Sequence, residues 1–458
     1  MMYIGRKRLF SLVLAAVLAF GCLYIPAEAK TCGCGEVVRV WVDGFGNAVF
    51  QNPGTQEETR VPNQDTSQLF PDIFNILGAG LESLLTWTTG KFTDAVTQML
   101  KNLLWTWEFN DDGTSANNIG RTWHIDEERN HTESPQYDFS YDYRIDPITA
   151  AGQLNDFIEK LCQVTGHRKI ALIGHSEGSC VALSYLAIYG SSRLETIILV
   201  NGAWQGVTLV GQLFTKKVTL VPEAITNFIA DVQDGNETLQ WVADMLLGSG
   251  ILDILPALDS WWESEILPPM YSKALGPIAL KMPVMQSFVP IEDWPEARKV
   301  LKALPGTKAL LKLADRYHND IQAKAGSILK KALRNGVKVA ITASYNHAPI
   351  PVTADWDYQS DGFLSSKHES GYAGFARYKG NELPPSPAKY RSPDGMVDAS
   401  TCLLPEYTWF VKNQRHDSSP SRALREFIIT SKTIPTVRTS KDFPQYLIVT
   451  ESGVEPLK

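Results

Sequence analysis

The chain has 458 residues, 44% of them hydrophobic and 20% charged, with a formal net charge of −7. That is enough apolar material for a large core, as two compact domains or one domain with a long insertion. No basic cluster stands beyond Arg6-Lys7-Arg8 and no repeat recurs at a fixed period, which argues against a nucleic-acid partner and against a repeat architecture.

The first thirty residues read as an export leader. Arg6, Lys7 and Arg8 give a positive start, Leu9 to Pro26 is an uncharged apolar run, and Ala27-Glu-Ala29 is a small-x-small cleavage site. Residues 1–29 are therefore expected to be removed and the mature protein to be secreted. An uncleaved membrane anchor is the rival, because the run approaches spanning length; Ala19 and Phe20 sit badly for lipid attachment at Cys22. Without Cys22 the cysteines are Cys32, Cys34, Cys162, Cys180 and Cys402, an odd set whose spacing implies no pairing. Cys32-Gly-Cys34 reads as a redox pair or half of a metal site. No second Cys/His pair follows at ligand spacing, so neither a metal nor a cofactor is expected. Asn130-His-Thr and Asn236-Glu-Thr are glycosylation sequons.

Val37 to Val42 is β-branched and apolar and breaks into Asp43-Gly-Phe-Gly-Asn47, a buried strand ending in a tight loop. Residues 48–136 are irregular around a helical stretch near 81–107. A strand is expected over 137–144 and a helix over 147–162, with Asp146 as N-cap and Pro147 in the first turn. A short strand over 169–173, a helix over 178–189 and a strand over 196–200 follow. This alternation implies parallel strands joined by crossovers. From 206 to 335 the pattern is helical with proline breaks, and a strand returns at 337–345. Residues 206–335 are therefore expected to form a helical cap inserted into a sheet domain made of 30–205 and 336–458. A second insertion, rich in Tyr, Ser, Gly and Pro, runs from about 347 to 391. A last short strand is expected at 407–411 and a closing helix at 421–429.

Between the strand at 169–173 and the helix at 178–189 stands Gly174-His-Ser-Glu-Gly178. In a nucleophile elbow a serine occupies a strained turn, and the glycines keep Cβ atoms off the neighbouring strand and helix. The helix N-terminus then sits beneath the hydroxyl with free N–H groups. An ordinary Gly-rich turn is the bland reading; the flanking strand and helix favour the elbow. A serine hydroxyl needs a base, and the order in this arrangement is Ser, then Asp or Glu, then His. Of the histidines after Ser176, His416 lies between the last strand and the last helix, where the base belongs; His368 is the runner-up. For the acid, Asp394 in Asp394-Gly-Met-Val397 suits a turn at a strand end, with Asp361 and Asp398 as rivals. The oxyanion donors are expected to be the N–H of Glu177 and that of Phe45, in a loop where Gly44 and Gly46 allow close backbone approach.

With these residues in view the chain resembles the α/β-hydrolase lipases, within them the lecithin:cholesterol acyltransferase-like group. The resemblance rests on Gly44-Phe-Gly-Asn47, Tyr141-Asp-Tyr-Arg144 with Asp146-Pro147, Gly174-His-Ser-Glu-Gly178, Leu199 to Gly206, Met282 to Pro290, Asp394-Gly-Met-Val397 and His416. It implies the α/β-hydrolase fold, a mostly parallel central sheet flanked by helices with a large helical cap, and a serine lipase or esterase. Two departures stand out: Asp43 before the first glycine, and Glu177 after the serine, where an anion pointing inward would oppose an oxyanion. Cap residues Trp241, Trp261, Trp262 and Trp294 suit a pocket for an apolar acyl group, with core packing as their bland reading. The expected partner is a small-molecule or lipid ester, with transient contact to lipid surfaces. Acyl transfer to an acceptor other than water, and a binding protein on a degenerate hydrolase fold, are the competing functions.

Overall fold

The structure, a computed structural model, describes residues 32–45, 48–51, 58–61, 75–232 and 261–458, apart from 77, 81, 84, 118, 134, 220, 352–354, 386 and 417–420. The leader at 1–29, Gly46, Asn47, Trp241 and the sequon at Asn236 lie outside the described residues.

The strands are β1 (Arg39–Val42), β2 (Ala48–Gln51), β3 (Glu58–Val61), β4 (Gln136–Phe139), β5 (Ile170–His175), β6 (Leu194–Val200), β7 (Lys338–Tyr345), β8 (Gly374–Phe375), β9 (Val397–Asp398), β10 (Thr408–Lys412), β11 (Tyr446–Thr450) and β12 (Gly453–Pro456). Eight of them form one sheet in the order β4-β1-β5-β6-β7-β10-β11-β12. Every neighbouring pair is parallel except β11 with β12. β2 pairs with β3, and β8 with β9, as separate antiparallel ribbons.

The main helices are α1 (Gly90–Leu104), α2 (Pro147–Thr165), α3 (Gly178–Tyr189), α4 (Thr208–Phe214), α5 (Pro222–Val232), α6 (Trp294–Ala303), α7 (Lys308–Arg316), α8 (Ala325–Arg334) and α9 (Arg422–Thr430). Alternation along β5 divides the core. Ile170 and Leu172 join the cluster packed with Leu154 of α2, Val181 of α3 and Leu329 of α8. Ala171 and Ile173 join the cluster that holds Leu424, Ile428 and Ile429 of α9. A strand buried on both faces has no polar side to show, which is why it reads as an unbroken apolar run.

β6 and β7 are adjacent in the sheet, yet 201–337 separates them in the chain. The described part of that segment is mostly helical. Its last helix, α8, packs on α3 and β7 as a crossover helix does. Among the described residues no helix is long and apolar enough to cross a membrane.

Two places differ from the sequence reading. The strand expected over 137–144 stops at Phe139, because Asp142 turns the chain by accepting the Arg144 N–H (3.0 Å). Arg144 is wholly buried, paired with Asp142 at 2.6 Å and donating to the carbonyls of Thr106 and Ile119 (both 2.7 Å). This part of the resemblance is a packing hub. The hairpin β11–β12 extends the sheet past the helix that was expected to close it.

Candidate active site

The parallel strands aim their carboxyl ends at one rim, where open α/β sheets gather functional groups. Ser176 directly follows β5 and has φ of +52°, a left-handed conformation that non-glycine side chains rarely adopt. Its neighbours explain the frame. A Cβ on Gly178 would stand 2.0 Å from the Val42 carbonyl oxygen of β1, and one on Gly174 2.5 Å from the Gly178 oxygen. The elbow is therefore locked between β1 and α3, and only glycine fits at either flank. A Cβ on Gly44 would stand 2.4 Å from Ser176 Cβ and 3.1 Å from the Glu177 nitrogen, so the loop after β1 lies directly against the serine. Its next residue, Phe45, packs on Trp107, Tyr143 and Phe288, with ring centroids 5.0, 4.8 and 5.9 Å away.

His416, in the loop after β10, places Nε2 2.9 Å from Ser176 Oγ. Its Nδ1 is 2.5 Å from Asp361 Oδ2. The three side chains are buried and come from the carboxyl ends of three different strands. The acid is a correction: Asp394 does not reach His416. It accepts from Ser392 Oγ (2.6 Å), Tyr345 OH (2.9 Å) and Lys412 Nζ (2.9 Å), pinning its turn to β7 and β10. Asp398 caps the turn at Ser400 N (2.9 Å). Asp361 instead follows β7, with Oδ1 accepting the N–H groups of Phe363 (2.9 Å) and Leu364 (2.6 Å) and its carbonyl accepting the His416 N–H (3.0 Å). Burial would raise the Asp361 carboxyl, but His416 and these donors outweigh it and hold the group near 2. His368, the rival base, lies elsewhere, between Thr208 Oγ1 (3.2 Å) and Glu292 Oε1 (3.1 Å).

Glu369 was not anticipated. It is fully buried, accepts the Ser344 N–H (2.7 Å), and groups with Asp361 and His416, their ligand atoms within 4.8 Å of one another. Burial, then the charge of Asp361, raises its carboxyl well above the usual range. Glu369 is set beside β7 by a short helix, Ser366–Glu369, and a lone Glu in a polar insertion carries no sequence signal for that placement.

The two departures have physical accounts. The Glu177 side chain is fully buried next to Tyr141, and its carboxyl oxygens have no hydrogen-bond partner among the described residues. Burial raises its pKa well above the carboxylate range, which favours the uncharged form beside the serine. Asp43 points outward, accepts from Gly44 N (2.9 Å) and meets His175 Nδ1 at 3.2 Å. His175 in turn donates from Nε2 to the His416 carbonyl (3.0 Å), so Asp43 and His175 brace the base from outside.

The stretch Leu199 to Gly206 ties these parts together. Ala203 N donates to the Ser176 carbonyl (3.0 Å), Trp204 Nε1 to the Glu369 carbonyl (3.1 Å), and Gly206 lies against Pro290. Below the sheet a separate grouping revises another expectation. Cys32-Gly-Cys34 does have a second pair, His131 and His167, brought in by the fold. None of the five described cysteines is in a disulfide.

A family described as the α/β-hydrolase fold matches residues 128–239, the span holding β4, β5, the elbow, α3 and β6. No curated protein matches the chain. Among solved structures, the Tle4-Tli4 complex aligns at 13% identity and a TM-score of 0.21, over 38% of this chain and 47% of that one. An esterase (EaEST) from Exiguobacterium antarcticum aligns at 16% identity and 0.19, over 46% of this chain and 65% of that one. The chain thus spans less than two thirds of either. With the mostly parallel sheet, the flanking helices and the strand–turn–helix at Ser176, the family match makes this an α/β-hydrolase fold.

Proposed function

We propose that the protein is an exported serine hydrolase that cleaves carboxylic esters through an acyl-enzyme and prefers apolar acyl groups. The observation that carries this reading is the contact of His416 Nε2 with Ser176 Oγ at 2.9 Å, with Asp361 behind the ring at 2.5 Å. His416 takes the proton as Ser176 Oγ attacks the ester carbonyl, then delivers it to the leaving alcohol; water repeats the sequence to free the acid. Asp361 holds the Nδ1–H tautomer and stabilises the imidazolium. The backbone N–H groups of Glu177 and Phe45 receive the oxyanion, and the close approach of Gly44 to Ser176 supports the second donor. A neutral Glu177 leaves that charge unopposed.

Apolar preference rests on the aromatic residues around the rim. Phe45, next to the Gly44 that abuts the serine, packs on Trp107 and Phe288, and Phe363 lies 5.3 Å from the His416 ring. The resemblance to the lecithin:cholesterol acyltransferase-like lipases supports a lipid ester reached by transient contact with a lipid surface. The leader supports export, and N-terminal sequencing of secreted protein should begin at Lys30. The functional test is a fluorophosphonate probe followed by p-nitrophenyl esters of increasing chain length. Stoichiometric labelling that Ser176→Ala removes, with longer chains preferred, is expected. An unlabelled Ser176, or no ester hydrolysis that this variant abolishes, overturns the proposal.

A further inference from the structure

We propose that Cys32, Cys34, His131 and His167 bind one zinc ion that clamps the amino-terminal arm to the lower edge of the sheet. Cys32 Sγ lies 3.3 Å from His131 Nε2 and Cys34 Sγ 3.5 Å from His167 Nε2, and the four donor atoms all fall within 4.8 Å of one another. A zinc ion with bonds of about 2.3 Å to sulfur and 2.0–2.1 Å to nitrogen separates its tetrahedral ligands by roughly 3.3–3.8 Å. The observed sulfur–nitrogen distances are already of that size. Two thiolates and two imidazoles fill all four positions, the donor set of a structural zinc site. The His131 and His167 rings meet edge to face at 5.2 Å, so both point at the same place.

The positions of the ligands say what the ion would do. Cys34 precedes β1, His131 precedes β4 and His167 precedes β5, three neighbours in the sheet. All four ligands therefore stand at the amino ends of these strands. Ser176 stands at the carboxyl end, one six-residue strand and about 20 Å away. Ahead of Val38, which accepts from Ala171 N (2.8 Å), one described backbone hydrogen bond, Cys32 N to Gly166 O at 3.0 Å, otherwise secures the arm. The pairs are 99 and 133 residues apart in sequence, so the ion would close two long loops across adjacent strands. Zinc replaces both thiol protons and leaves a neutral site.

The test uses the full secreted chain. Protein purified under reducing conditions, stripped and then reconstituted with Zn(II), should hold one equivalent by elemental analysis. Cobalt(II) in its place should show the intense ligand-field bands of a tetrahedral site and a thiolate charge-transfer band. The double variant C32S/C34S should retain less than about a tenth of an equivalent, and chelation should lower the melting temperature of wild type without moving that of the variant. If the cysteine pair fails to fold, His167→Ala serves instead and should bind more weakly by well over the roughly 10–100-fold that an outer-shell change causes. Substoichiometric zinc in reconstituted wild type, undiminished zinc in the variants, or a Cys32–Cys34 disulfide that reduction with zinc present does not replace, each overturns the proposal.

Discussion

Glu177 offers the sharpest physical test, because its burial without a hydrogen-bond partner among the described residues opposes the charge that its sequence position suggests. It is fully buried, and burial raises its carboxyl well above the ordinary 4.5. Its folded pKa exceeds the unfolded one, so its contribution is most favourable below about pH 4.5 and is lost as pH rises toward the folded value. For a group still neutral in the fold, each pH unit above 4.5 costs about 1.4 kcal/mol, or about 3 kcal/mol at pH 7. Glu177→Gln cannot ionise in either state and removes that slope. Urea unfolding of both proteins at pH 4.5 and pH 7 gives the difference in stability at each. The change in that difference, expected to be about 3 kcal/mol in favour of the variant at pH 7, cancels any packing cost common to both conditions. Asp361, held near 2, acts only below about pH 4 and stays outside the window. Equal differences at the two pH values would mean that Glu177 is ionised in the fold, and the account of an unopposed oxyanion would fall with it.

Four further outcomes follow from the same geometry. Asp361→Asn should lower kcat by about 10⁴ through loss of the correct tautomer. Asp394→Asn should leave kcat within about 3-fold while lowering stability by about 1–3 kcal/mol, because Lys412 and Tyr345 lose their charged acceptor; the reverse ranking in ester assays would restore Asp394 as the acid. Glu369→Gln keeps the shape and the acceptor of the Ser344 N–H and should hold kcat within about 3-fold, whereas Glu369→Ala, which empties that place beside Asp361 and His416, should cost about 10-fold and shift the pH–rate profile. Gly178→Ala, whose Cβ would meet Val42 O at 2.0 Å, should destabilise by about 3 kcal/mol in thermal unfolding; an unchanged melting temperature would contradict the packing of the elbow.

The parts of the fold legible in the sequence are those written in local pattern. The apolar run of β5, the Ala- and Leu-rich α3 and Asp146-Pro147 at the start of α2 each announce their element. Here Asp146 accepts from Ile148 N (3.1 Å) and Thr149 N (3.0 Å), as an N-cap does. The elbow was legible because its steric demand falls on two glycines within five residues. The carboxylate that meets His416 was not, since Asp361-Gly362 and Asp394-Gly395 present the same dipeptide and both lie between β7 and His416. What separates them is which turn lies over the rim, and that is set by the 346–396 insertion folding back through His347 N to Ser360 O (3.1 Å). The zinc-type ligands escaped for a related reason. Sequence spacing detects pairs supplied by one loop, whereas His131 and His167 are brought to Cys32 and Cys34 by strand adjacency.

The rim itself shows why Ser176 calls for a chemical explanation. Four parallel strands end in a residue with left-handed backbone: Ser176 after β5, Asn201 after β6, Asn346 after β7 and Asn413 after β10, with φ of +52°, +42°, +81° and +61°. Asparagine adopts that conformation readily, and here it also builds the rim. Asn201 accepts from Ser344 Oγ (3.0 Å) and Gln414 Nε2 (3.2 Å), and Asn346 donates to Asn413 (2.7 Å). Turn geometry alone would favour the same residue at all four positions. Serine at the first sits in the same kind of turn with a less tolerant side chain, and it alone among the four meets an imidazole backed by a buried carboxylate. The backbone strain is thus spent where a hydroxyl is needed and avoided where it is not, which is the pattern expected when a position is held for its reactivity rather than for its turn.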